Sequence, residues 1–259
     1  MQNQTNLMKE ERQALLLATL QREGKVLASE WSERLRVSED TIRRDLRELA
    51  RQQKLQRVHG GALPRSTTVA SYTERQRQAP AEKSAIGAAA AKLVAEGQLI
   101  FVDGGTTTLQ LARHLPLELR ATVVTNSPAA AVALANHSNV EIILLGGRFS
   151  KPAQVTIGAA AVEELRRFHA DLCFLGVCSL HPEVGLSIGD FEEAQIKRAM
   201  IANSAEVAGL VLADKLGTAL PYVVAPARAL TYLITDASAS DASLVCYREA
   251  GVTVIQAGT

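Results

Sequence analysis

Residues 37–61 read VSEDTIRRDLRELARQQKLQRVHGG, and this stretch decides the fold of the first domain. Ser38 is a good helix N-cap. Glu39 and Asp40 follow in the first turn, where the helix dipole favours carboxylates, and nothing up to Gln53 is Gly or Pro. A helix over 39–53 is therefore expected. At about 100° per residue, Ile42, Leu46 and Leu49 share one stripe, Arg44, Arg47 and Arg51 lie opposite, and Thr41 and Arg43 sit on the flanks. One face packs and the other carries cations. Taken alone, such a helix fits a salt-bridge-laced surface element as well as one presented to nucleic acid.

The flanking sequence separates these alternatives. Upstream, residues 12–23 and 27–35 form two short amphipathic helices joined across Gly24, and Arg36-Val37 turns the chain into the third. Downstream, Leu55-Gln56-Arg57-Val58-His59 alternates at period two and stops at Gly60-Gly61, as one strand of a small β-wing does. A trihelical unit with a wing is a DNA-reading arrangement, in which the third helix enters the major groove and the wing follows the backbone or the minor groove.

SEDTIRRDLREL (38–49) followed by RVHGGAL (57–63) resembles the DNA-binding signature of the DeoR family of bacterial transcriptional regulators. The resemblance implies that Thr41, Arg43 and Arg44 face double-stranded operator DNA, and that Arg57, His59 and Gly60 belong to the wing. Ser38 and Arg47 complete the candidate DNA-binding set. The side chains suit these roles: Arg grips guanine O6 and N7 bidentately or clamps a phosphate, and Thr touches a thymine methyl. Base contacts and phosphate contacts are not distinguished at this level.

At 259 residues the chain is too long for this unit alone. The boundaries read as 8–63 for a winged helix-turn-helix, 64–80 for a polar linker with a turn of helix around 72–78, and 81–259 for an α/β effector-sensing domain. Charge divides the same way. Residues 1–65 hold 13 Lys and Arg against 9 Asp and Glu, and residues 66–259 hold 15 against 18. A basic head on a mildly acidic body fits a nucleic-acid reader with a separate sensor. Three cysteines, Cys173, Cys178 and Cys246, form no CxxC and have no His at ligand spacing, so neither a disulfide framework nor a metal site is indicated, and no cofactor is expected. Without a signal-peptide core or an 18-residue apolar run, the expected location is the cytoplasm, away from membranes.

From residue 81 apolar helices alternate with short β-branched runs. Helices are expected at 82–95, 106–114, 128–135, 158–168, 191–203 and 242–250, and strands at 99–102, 121–125, 140–145, 171–177, 207–212, 230–235 and 252–256. This rhythm is that of a doubly wound parallel α/β sheet. Three strand ends are polar or glycine-rich: Asp103-Gly104-Gly105-Thr106-Thr107-Thr108, Thr125-Asn126-Ser127 and Leu145-Gly146-Gly147. Ligands of such sheets bind outside the carboxyl ends of the strands, and glycines with hydroxyls at a helix N-terminus suit a phosphate.

DGGTTT, VVTNS, ILLGG, FLGV, DFEEAQIKRAM and DKLG occur in the order seen in the DeoR sensor domain, and the resemblance runs from about residue 12 to about 255. It implies a fold similar to ribose-5-phosphate isomerase and a phosphorylated sugar or related metabolite as effector. Its phosphate would lie on Gly105, Thr106, Thr107 and Thr108, with Asp103, Asn126, Glu193, Lys197 and Lys215 around the sugar, and Gly146 and Gly147 at the same sheet edge. Lys197 reads equally as a surface ammonium. Ser179, His181 and Leu212 depart from the family's pattern, which leaves the effector's identity open; Cys178 reads as a small packing residue and His181 as a surface loop residue, over the alternatives of a reactive thiol and a base. The regulator reading, with the protein acting as a homodimer or homotetramer, stands against a sugar-phosphate isomerase-like enzyme with Glu193 or Asp190 as base. The fused reader favours the regulator, and no catalytic residue is assigned.

Overall fold

A computed structural model describes residues 7–66 and 71–258. The chain forms two compact units. One holds the described residues up to Ser66 with Gly217–Leu220, and the other holds the remainder.

The first unit comprises α1 (Lys9–Glu23), β1 (Val26–Leu27), α2 (Ala28–Leu35), α3 (Glu39–Arg51), β2 (Leu55–Val58) and β3 (Gly61–Pro64). Ser38 Oγ accepts from the Thr41 N–H at 3.2 Å and starts α3. Ile42, Leu46 and Leu49 are buried with Leu16, Leu20, Trp31 and Leu55. Asp45 also lies inside, paired with Arg12 and accepting from Gln13 at 3.4 Å, so this core has an ionic staple that hydrophobic periodicity does not announce. Leu27 does not begin α2: Val26 and Leu27 pair with Ala62 and Gly61, giving a three-stranded wing in the order β1-β3-β2. Two residues are too few to display a period-two pattern. Gly60 turns the hairpin at φ +76, and Gly61 is required for space, because a Cβ there would lie 2.0 Å from the Val26 carbonyl oxygen.

The second unit begins with α4 (Tyr72–Arg77), inside the stretch read as linker, and α5 (Pro80–Ala91). It continues through β4 (Leu99–Val102), α6 (Thr108–His114), β5 (Ala121–Thr125), α7 (Pro128–Leu134) and β6 (Val140–Leu144). Next come β7 (Arg148–Ser150), β8 (Val155–Ile157), α8 (Ala159–Leu165), β9 (Ala170–Gly176), β10 (Leu180–His181) and β11 (Gly185–Ile188). It closes with α9 (Phe191–Ala202), β12 (Ser204–Val211), β13 (Tyr222–Ala225), β14 (Tyr232–Asp236), α10 (Asp241–Glu249) and β15 (Thr253–Ala257). A seven-stranded parallel sheet runs in the order β15-β14-β12-β9-β4-β5-β6. The hairpin of β7 and β8 and the antiparallel sheet β10-β11-β13 were not legible in the sequence, since strands of two to four residues carry little pattern.

Each face of the large sheet buries its own core. Ile100 and Val102 join Ile86, Leu111 and Leu134 of α5, α6 and α7. Phe101, one residue out of phase, joins Leu165, Ile196 and Leu244 of α8, α9 and α10. The sheet is therefore doubly wound, as expected. After β6 the chain returns to the other side of β4, so the reversal lies between β4 and β9, and ligand crevices form at such reversals. No helix among the described residues is long and apolar enough to cross a membrane.

Candidate functional site

In the first unit α3 presents Arg43, Arg44, Arg47 and Arg51 to solvent, opposite its buried stripe. Arg43 and Arg44 pair along the helix with Glu39 (2.7 Å) and Asp40 (3.1 Å). Exposed pairs of this kind are worth about 0.3–0.5 kcal/mol, so exchanging them for DNA phosphates or base edges costs little. Ser38 serves as the N-cap, its hydroxyl 2.8 Å from that of Thr41. Arg57, His59 and Gly60 are exposed at the wing.

In the second unit the site starts from the backbone at the sheet reversal. The Asp103 N–H donates to the Phe174 carbonyl (3.0 Å), which carries the β4–β9 ladder one residue past the sheet. The Asp103 carboxylate then accepts from the Gly176 N–H (3.0 Å) and from the Lys197 ammonium, which also donates to the Gly176 carbonyl (2.8 Å). Asp103 and Lys197 side chains are only 4% and 7% exposed. The two loops are pressed together so closely that a Cβ on Gly176 would sit 3.0 Å from the Gly104 carbonyl oxygen, and β8 closes on the first of them, since a Cβ on Gly104 would sit 1.9 Å from Val155 Cγ1.

Around this pair is a cavity of about 40 Å³ lined by Gly104, Gly105, Thr106, Thr107, Glu193, Lys197 and Lys215, with Arg75, Ala153, Gly176, Val177 and Cys178. Six sequence-predicted residues thus meet: Gly105, Thr106, Thr107, Glu193, Lys197 and Lys215. The first-turn amides of α6 are already engaged, Leu109 N–H with the Gly105 carbonyl (3.0 Å) and Gln110 N–H with the Thr107 carbonyl (3.0 Å), so the loop offers the cavity its Thr106 and Thr107 side chains and the glycine backbone. The other candidates stand behind the wall. Asp103 is the counter-ion of Lys197, and the Thr108 hydroxyl donates to the Gly105 carbonyl (3.0 Å). Asn126 accepts from the Gly104 N–H (3.0 Å) and donates to the Thr156 carbonyl (3.4 Å). Gly146 and Gly147 do not line this cavity; Gly146 N–H donates to Glu164 (3.2 Å).

Lys197 is a buried ion-pair member, which excludes the surface-ammonium alternative. Cys178 packs against the core but is only half-buried, at the cavity wall, whereas Cys173 is fully buried. Burial pushes the Cys173 thiol well up, with Asp103 adding to the effect. His181 is half-buried and staples a turn by accepting from the Glu183 N–H (3.2 Å). Arg75 was not anticipated; the signal for it is the reciprocal capping of Ser71 and Glu74, which marks α4 as a real helix.

Burial works against the Lys197 ammonium, but the Asp103 carboxylate, with Cys178 and Glu193 nearby, more than offsets it and holds the pKa above the usual lysine value. Burial raises the Glu193 pKa, and Lys197 opposes this only in part. With Lys197 paired to Asp103, Arg75 and Lys215 stand against Glu193 beside the threonine side chains, a small recess with one net positive charge that suits a phosphate or carboxylate.

Residues 12–68 match the DeoR-like helix-turn-helix domain, and residues 78–237 match the DeoR C-terminal sensor domain. The chain is 36% identical to the HTH-type transcriptional regulator GlpR of Haloferax volcanii, with 86% of this chain and 88% of that one covered. It is 33% identical to the HTH-type transcriptional repressor GlcR of Bacillus subtilis, over 89% of each chain. It is also 33% identical to the glycerol-3-phosphate regulon repressor of Escherichia coli, over 78% of this chain and 81% of that one. With a helix-turn-helix reader, a doubly wound sensor and relatives aligned along most of their length, the chain belongs to the DeoR family of transcriptional regulators.

Proposed function

We propose that this protein is a cytoplasmic repressor of a carbohydrate-utilisation operon, which binds operator DNA through α3 and the β2–β3 wing and releases it when a phosphorylated sugar or related acid occupies the cavity. One observation carries this reading: a chain with an exposed arginine face on a recognition helix also holds, at its sheet reversal, a recess lined by Arg75, Lys197, Lys215 and the Gly104–Thr107 loop. The name of the glycerol-3-phosphate regulon repressor supports a phosphorylated effector. At about 40 Å³ the recess holds an anionic head group, whereas enclosing a whole ligand takes about 300 Å³ or more, so the body of the effector lies toward the opening. Operator half-sites related by two-fold symmetry favour at least a dimer, which light scattering of the full chain at micromolar concentration tests.

The isomerase-like alternative has one observation in its favour: Glu193 lines the cavity with a raised pKa, as a general acid or base requires. Against it, the second carboxylate at the site, Asp103, is neutralised by Lys197 behind the wall. Turnover of a panel of sugar phosphates would establish the enzyme.

The regulator reading is tested with a labelled operator fragment, glycerol 3-phosphate and a panel of sugar phosphates. The parent should lose operator affinity on addition of one of them. Thr106→Glu, which fills the recess and repels phosphate, should bind the operator as the parent does and ignore the ligand. By reciprocity, a ligand that weakens operator binding tenfold, about 1.4 kcal/mol, is itself bound tenfold more weakly by the DNA complex. Release of operator by the Thr106→Glu variant on ligand addition refutes the assignment of the recess.

A further inference from the structure

The helix that brings Arg75 to the cavity is six residues long, too short to stay helical by itself in water. Three sets of contacts hold α4. At its N-terminus Ser71 Oγ accepts from the Glu74 N–H (3.3 Å), and the Glu74 carboxylate accepts from the Ser71 N–H (2.8 Å). Tyr72 is buried, with the Arg75 guanidinium carbon 5.9 Å from its ring centre. At the other end Lys83 of α5, 2% exposed, donates its ammonium to the carbonyls of Arg75 and Gln78, the latter at 2.6 Å. Carbonyls at a helix C-terminus lack intrahelical donors, and the dipole there favours a cation. Lys83 therefore holds the backbone of Arg75, a residue that lines the cavity.

We propose that Lys83 is a positioning residue of the anion site: by clamping the last turn of α4 it sets Arg75 against the cavity, and so strengthens anion binding without touching the anion. This rests on reading the cavity as the effector site. The groups facing the Lys83 ammonium are Arg75 of α4, Asp214 and Lys215 of the short turn Ala213–Lys215, and Glu82 of its own helix. Burial first, then Lys215 and Arg75, bring the Lys83 pKa down to about 8, against the opposing pull of Asp214 and Glu82. An anion in the recess relieves the crowding of cations and so favours the protonated clamp. By linkage, loss of the proton weakens the anion. Affinity is therefore full below this range and falls as pH rises through about 8.

Sulfate is the probe, because its charge stays constant across the neutral and alkaline range. Calorimetric titration of the full chain compares the parent with Lys83→Arg and Lys83→Met at about pH 7 and about pH 9.5. Cys178 and the other cavity groups are common to all three proteins, so only the differences between them report on residue 83. At neutral pH Lys83→Arg, which keeps its charge, should bind sulfate within about threefold of the parent, and Lys83→Met should bind about tenfold more weakly. At alkaline pH the parent should fall toward Lys83→Met while Lys83→Arg declines less. Equal neutral affinities for the parent and Lys83→Met, or parallel pH profiles for the parent and Lys83→Arg, overturn the proposal. If Lys83→Met does not fold, the two pH profiles decide alone. Absence of sulfate binding by the parent at both pH values overturns the anion-site reading, and the role of Lys83 with it.

Discussion

Replacing Asp103 by alanine strips the Lys197 ammonium of its counter-ion and the Gly176 N–H of its acceptor, inside a wall where both charged side chains are less than a tenth exposed. Lys197 keeps the Gly176 carbonyl as an acceptor and Glu193 as a more distant carboxylate. Removing one partner of a buried pair costs about 3–5 kcal/mol, because the other charge is left uncompensated. The pKa of Lys197 is raised in the folded protein, so the stability it contributes is fully present below the unfolded value of 10.5 and is lost only as pH rises through the folded one. At neutral pH the whole cost is therefore visible. Since the sole tryptophan, Trp31, lies in the reader, its fluorescence follows that unit, and far-ultraviolet circular dichroism, dominated by the larger unit, follows the sensor. Urea unfolding at about pH 7 of the parent, Asp103→Ala, Lys197→Met and the double variant should show each single change shifting the sensor transition alone. The double variant should cost at least about 2 kcal/mol less than the sum, since neither charge is then left unpaired. A cost below about 1 kcal/mol for Asp103→Ala, or strict additivity, refutes the claim that this pair holds the two loops together.

Arg44→Ala should weaken operator binding by about 1–3 kcal/mol in a titration at physiological salt, with the Trp31 transition unmoved; unchanged affinity removes Arg44 from the interface. Gly61→Ala drives a methyl into the Val26 carbonyl and should destabilise the reader by about 1–3 kcal/mol or more, seen as an earlier Trp31 transition without change in the sensor. Glu193→Gln should stabilise the sensor at neutral pH, because the raised pKa means the charged form is disfavoured in the fold. That gain should vanish below the ordinary carboxylate range near 4.5, where Glu193 is protonated in both states; a gain that persists there points to packing instead.

What the sequence determined by itself is local and periodic. The N-cap at Ser38, the Ile42, Leu46 and Leu49 stripe with its opposing arginines, and the turn at Gly60 are set by residues within a few positions of one another. The seven strands of the parallel sheet show the same kind of repetition and the Gly104–Thr107 loop is a single local stretch, which is why the trihelical unit, the sheet and part of the cavity lining were legible.

Only the tertiary structure decided what each charged side chain faces. Asp103 and Lys197 are 94 residues apart in the chain, and nothing local separates a lysine on an amphipathic helix that reaches water from one that closes an ion pair beneath two loops. The same holds for Asp45, which sits on the packed side of the recognition helix because Arg12 meets it there. Arg75 reaches the cavity on a helix that exists through its contacts with Ser71, Tyr72 and Lys83 rather than through its own length. Propensity and periodicity are short-range terms, whereas the cost of burying a charge is set by the one partner that offsets it, and that partner is chosen by the fold.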